Sequence, residues 1–121
     1  MKDLLKELNQ MFTKAVIPYQ YGIWKGSQTY PYFVGSLQET NYRYEDNHST
    51  IYFTISGWSR SSITELLEIG TQIKKLFRDL QIITNDKCFH IRYGDVMEIP
   101  TDVEGLYRID ITLNIDAWEG E

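Results

Sequence analysis

The sequence predicts one α+β domain spanning residues 1–121. It is expected to be a four-stranded antiparallel sheet with two helices packed on one face, in the order α-β-β-α-β-β. Two segments carry apolar residues at helical spacing, and two pairs of segments carry β-branched and aromatic residues with turn signals between them. The last segment, 106–118, sets Tyr107, Ile109, Ile111, Leu113 and Ile115 against Arg108, Asp110, Thr112, Asn114 and Asp116. Such alternation marks an antiparallel strand with one solvated face.

The first helix is read from Leu4, Leu5, Leu8, Met11, Phe12, Ala15 and Val16, which fall on one helical stripe and end before Pro18. Residues 18–31, PYQYGIWKGSQTYP, read as a long irregular connection rich in aromatics. Residues 32–44 form a strand weakened at Gly35, 45–48 a polar turn, and 49–58 a second strand. In the second strand Ile51, Phe53 and Ile55 face one way, and Tyr52, Thr54, Ser56 and Trp58 the other.

Ser62 and Glu65 have the spacing of a capping box and open the second helix, whose apolar face runs from Ile63 through Gly70 to Leu80. Gly70 costs ~1 kcal/mol of helix propensity relative to Ala, which predicts close approach to the sheet. Glu65 and Glu68 near its start, and Lys74, Lys75 and Arg78 near its end, complement the helix dipole. A third strand is expected at 88–93, and an acidic connection at 94–105 carries Asp95, Glu98, Asp102 and Glu104.

Composition narrows the function. A net charge of −5 disfavours a protein that binds nucleic acid through cations or docks on an anionic membrane. The opening residues MKDLLKELNQ place charges among leucines, unlike the apolar stretch of a signal peptide, and no run approaches a membrane span. The expected compartment is the cytoplasm.

The residues offer little chemistry. The two histidines, His48 and His90, and the single Cys88 have no metal-ligand spacing, and the acidic connection lacks the turn glycine of a cation loop. Phosphate-cradling glycine motifs are absent. Ser61 and Ser62 stand where a helix cap belongs. Cys88 and His90, two apart on one strand, leave a Cys–His pair geometrically open, without an evident third group to orient it. The expectation is therefore a protein that is not an enzyme and uses no cofactor or metal.

What remains is surface. Nine tyrosines and three tryptophans are many for this length, and such side chains suit interfaces. Trp24 in the long connection, Tyr42 and Tyr44 on the first strand, and Trp58 and Trp118 on polar strand faces are the candidate interface residues.

The element order, together with PYFVGSLQE entering the first strand, FTISGWSRS at the strand-to-helix junction and the final YRIDITLNIDAWE, resembles the tail-completion or tail-terminator proteins of long-tailed bacteriophages and prophages. The resemblance covers nearly the whole chain. It implies a non-catalytic homo-oligomeric ring, commonly a hexamer, that caps the tail tube, ends its polymerisation and joins the head. The implied partners are copies of the chain itself, the tail-tube protein and the head connector, with DNA as passing, unbound cargo and no membrane. The implied locations are the host cytoplasm during assembly and then the virion tail. Asp110 and Asp116, on the polar face of the last strand, become candidates for a DNA-repelling lumen. The alternatives are another head–tail connector or minor tail component, and a non-viral binding module with an aromatic groove between residues 18–31 and the sheet.

Overall fold

The computed structural model describes residues 2–26, 30–43, 48–83 and 87–119, with side chains described within 4–26, 30–38, 50–83 and 88–118. Helix α1 (Lys2–Lys14) buries Leu4, Leu8 and Phe12. Val16, expected on the same stripe, is instead 86% exposed, because it adopts φ 57° and closes the helix. Ile17 N–H donates to Phe12 O at 3.0 Å and Val16 N–H to Thr13 O at 3.1 Å, the bond pair of a Schellman cap.

After the cap come strands β1 (Tyr19–Tyr21), β2 (Tyr32–Arg43) and β3 (His48–Ser59), then α2 (Ile63–Phe77), β4 (Leu80–Ile83), β5 (Lys87–Ile99) and β6 (Tyr107–Glu119). The strands form one sheet of six in the order β1-β2-β3-β6-β5-β4, curled into a half-barrel. β1 runs parallel to β2, and the other neighbours are antiparallel.

This corrects the expected four-stranded antiparallel sheet with order α-β-β-α-β-β, for three physical reasons. Tyr19–Tyr21 is too short for periodicity to reveal, yet it pairs along β2, with Tyr19 opposite Phe33 and Tyr21 opposite Gly35. The second helix ends at Phe77, since Asp79 takes φ 50°; Leu80, expected on its apolar face, begins β4. β5 continues through much of the segment expected to be a connection. Between Tyr93 and Val96 its register slips against β6, a bulge that reverses which side chains face the core and so erases the alternation. The turn expected at 45–48 lies outside the described residues apart from the backbone of His48, which starts β3.

One apolar cluster joins the helices to the inner face of the sheet. It holds Leu4, Leu8 and Phe12 of α1, Leu66, Ile73 and Phe77 of α2, and strand residues such as Phe53, Ile91, Ile111 and Leu113. The rings of Phe12 and Phe77 meet at 5.4 Å between centroids. Gly57 faces this core directly under the Phe33 ring, where a Cβ would collide with it. Gly70 of α2 does rest against the sheet, with Ile111 and Ile109 at 3.6 and 3.7 Å from where a Cβ would sit.

Ser62 caps α2 by accepting from Glu65 N–H at 3.2 Å. The Glu65 carboxylate accepts from the buried Ser59 hydroxyl at 3.0 Å, which fastens the helix start to the end of β3. The helices thus cover one face of the sheet, and its other face is open to solvent.

Candidate functional site

The outer face of the sheet carries the even-numbered residues of β3 and β6 and, before its bulge, of β5. Register places Tyr32 of β2 opposite Trp58 of β3, Trp58 opposite Arg108 of β6, and Arg108 opposite Ile99 of β5. This cross-strand row runs over one end of the sheet. Tyr32 and Trp58 stack with centroids 5.0 Å apart and planes 19° from parallel. Trp24 and Tyr30 approach Tyr32 at 5.0 and 5.3 Å, so one buried tyrosine gathers three other rings. Burial, and secondarily Tyr30, push the Tyr32 phenol above its ordinary pKa.

Two arginines border the cluster, Arg60 at 5.3 Å over the Tyr30 ring and Arg108 at 5.2 Å over the Trp58 ring. Beside it lies an open recess of about 230 Å³ lined by Gly22, Ile23, Trp24, Tyr32, Val34 and Trp58. That is below the ~300–1,000 Å³ of typical small-molecule sites. Ile23 at its rim is 74% exposed.

Of the candidate interface residues, Trp24 and Trp58 therefore come together. Trp118 does not: ten residues along β6 from Arg108 is ~34 Å of strand, and it lines a separate shallow recess with Asp79, Gln81 and His90. Tyr44 lies outside the described residues, and Tyr42 lies in β2 where side chains are not described. Tyr30, Tyr32, Arg60 and Arg108 complete the cluster without having been singled out. The strand alternation held the signal for Tyr32, but only the β2–β3 register sets it against Trp58.

Asp110 and Asp116 do lie on the outer face, each beside an arginine. The Arg108 fork meets Asp110 at 3.1 and 3.3 Å, and Arg92 meets Asp116 at 2.9 Å. Their charges are thus largely balanced where they stand.

A second opening, about 430 Å³, lies where the end of α2 passes β5, lined by Lys74, Arg78, Asp79, Arg92, Tyr93 and Asn114. Lys74 lies 5.6 Å over the Tyr93 ring. Burial, then Asp95, raise the Tyr93 phenol pKa. In sequence, Lys74 and Arg78 read as complements to the helix dipole; the fold brings Arg92 beside them.

Cys88 and His90 share the outer face but bond elsewhere. Gln81 Nε2 donates to Cys88 Sγ at 3.2 Å, and His90 Nε2 lies 4.0 Å from Asp79. Among the described residues no group of three or more His, Cys, Asp or Glu side chains could hold a metal ion, and no helix is long and apolar enough to cross a membrane. Compared with family models and with curated proteins, the chain matches none.

Proposed function

We propose that this chain is a structural protein of a bacteriophage or prophage tail. It assembles as a ring on the end of the tail tube, stops tube growth and provides the surface on which the head docks. The observation that carries this reading is a pair of dissimilar openings on one sheet. An aromatic recess sits between residues 22–24 and strands β2 and β3, and a basic cleft sits across the strand order between α2 and strands β5 and β6. A closed ring is built from heterologous contacts, which need two different surfaces on each subunit. The recess is smaller than typical small-molecule sites, which favours side chains of a protein partner over the alternative of a small-ligand module.

DNA is cargo in this reading. The pairing of Asp110 with Arg108 and of Asp116 with Arg92 gives the outer face little charge to hold phosphates, and the net charge of −5 keeps the whole subunit mildly repulsive. The chain acts without a catalytic group, first in the host cytoplasm and then in the virion.

The test is sedimentation velocity over a wide concentration range, with co-pelleting on assembled phage tail tubes. A ring, in solution or formed on tube ends, is the expected result. A strict monomer that ignores tube ends overturns the reading.

A further inference from the structure

We infer that the basic cleft between α2 and β5 is the socket for the acidic β5–β6 arm of a second copy of this chain. The inference rests on the ring reading and names its subunit contact. β4 begins at Leu80, opposite Ile91, and runs back toward Cys88, so β5 from Arg92 to Ile99 is paired with β6 on one side only. The far part of that stretch, from Val96 on, with the turn that follows it, forms the arm, residues 96–105; Arg92 and Tyr93 belong to the cleft.

The arm exposes Val96, Met97 and Val103 at 44, 60 and 49%, unusual for apolar residues in so acidic a segment. Glu98, Asp102 and Glu104 are exposed along it, and none forms an ion pair among the described residues.

The cleft is its complement. Lys74 and Arg78 are exposed and have no carboxylate partner among the described residues, while Asp79 faces His90 and Arg92 meets Asp116. The lining is therefore net positive on a protein that is net negative, so an acidic occupant is favoured there over a basic one. Its volume of about 430 Å³ admits side chains of an inserted turn. The arm runs up to and past the Trp58–Arg108–Ile99 row at one end of the sheet, whereas the cleft lies where Arg92 pairs with Asn114 farther back along β5, so the two are different surfaces that a head-to-tail contact between copies would join.

Charge reversal on each side tests this. The cleft variant Lys74→Glu with Arg78→Glu, and the arm variant Glu98→Lys with Asp102→Lys and Glu104→Lys, should each weaken self-association by at least about tenfold, free or on tube ends. Mixing the two variants should restore it, because every arm again meets a cleft of opposite charge. Wild-type assembly should weaken between about 50 mM and 500 mM salt. Thermal unfolding of each variant shows that it is folded. Wild-type assembly that both variants retain, or that mixing fails to restore, overturns the arm–cleft contact and leaves the ring reading intact. A wild type that never assembles overturns both. If the cleft variant assembles normally but loses affinity for a DNA duplex, the cleft serves nucleic acid and the inference fails.

Discussion

Tyr19 lies face to face on Phe12, with ring centroids 4.1 Å apart and planes 8° from parallel, and this stacking carries its hydroxyl into the core without a hydrogen-bond partner among the described residues. Gly35 makes room for it, since a Cβ there would strike the tyrosine ring. A buried unsatisfied polar group costs ~1–3 kcal/mol. Tyr19→Phe keeps the ring and removes that cost, so it should stabilise the fold by about 1 kcal/mol in urea unfolding.

The same site gives a pH dependence. Desolvation, then the neighbouring Tyr21, raise the Tyr19 phenol pKa well above its ordinary value. Folding then binds the phenolic proton more tightly than the unfolded chain does. This contribution is fully present below pH ~10 and is lost as the pH rises toward the folded-state pKa. Tyr19→Phe should therefore flatten the fall in stability above pH ~10, with unfolding midpoints at several alkaline pH values as the measurement.

Val16 occupies the position of the α1 cap that favours glycine, at φ 57° and 86% exposed. A β-branched side chain in the left-handed region costs roughly 1–2 kcal/mol, and exposure returns little by burial. Val16→Gly should raise stability by about 0.5–1 kcal/mol, after the greater freedom that glycine gives the unfolded chain is subtracted. A fall in the thermal midpoint would refute the strained-cap account.

Two glycines predict opposite signs. At Gly70 a Cβ meets Ile111 and Ile109 at 3.6 and 3.7 Å, ordinary contact, so Gly70→Ala should gain about 0.5–1 kcal/mol of helix propensity. At Gly57 the same atom collides with the Phe33 ring inside the core, and Gly57→Ala should cost about 1–3 kcal/mol. Chemical denaturation of the two variants side by side checks the contrast.

What the sequence made legible follows from period and length. The outward and inward residues of β3 and β6 could be read because long, regular alternation has one interpretation, and the Ser62 cap because its spacing is local. β1 and β4, of three and four residues, carry too few positions for a period, and β4 continues the apolar pattern of α2 across the left-handed Asp79. The bulge between Tyr93 and Val96 hid the second half of β5, since one extra residue inverts the alternation. The site follows the same logic. Trp24 and Trp58 could be named as interface types, but their meeting around Tyr32 depends on strand register and on a connection without periodicity.

Ile23 separates a working contact surface from idle aromatic packing. It is 74% exposed at the rim of the recess that Trp24, Tyr32 and Trp58 enclose, and no secondary-structure element includes it. A carboxylate there stays solvated in the free subunit, so Ile23→Asp should leave the stability within about 0.5 kcal/mol of wild type. If the recess receives a side chain from the tail tube or a neighbouring subunit, docking would strip water from that carboxylate and leave it facing aromatic rings. Burying an unpaired carboxylate against apolar rings costs several kcal/mol, so affinity for tube ends or for a second copy should fall by at least about tenfold. Co-pelleting titrations give the affinity and a thermal melt gives the stability. Unchanged affinity in a folded Ile23→Asp protein would remove the recess from the assembly surface and leave the aromatic cluster as a brace between residues 22–32 and the sheet.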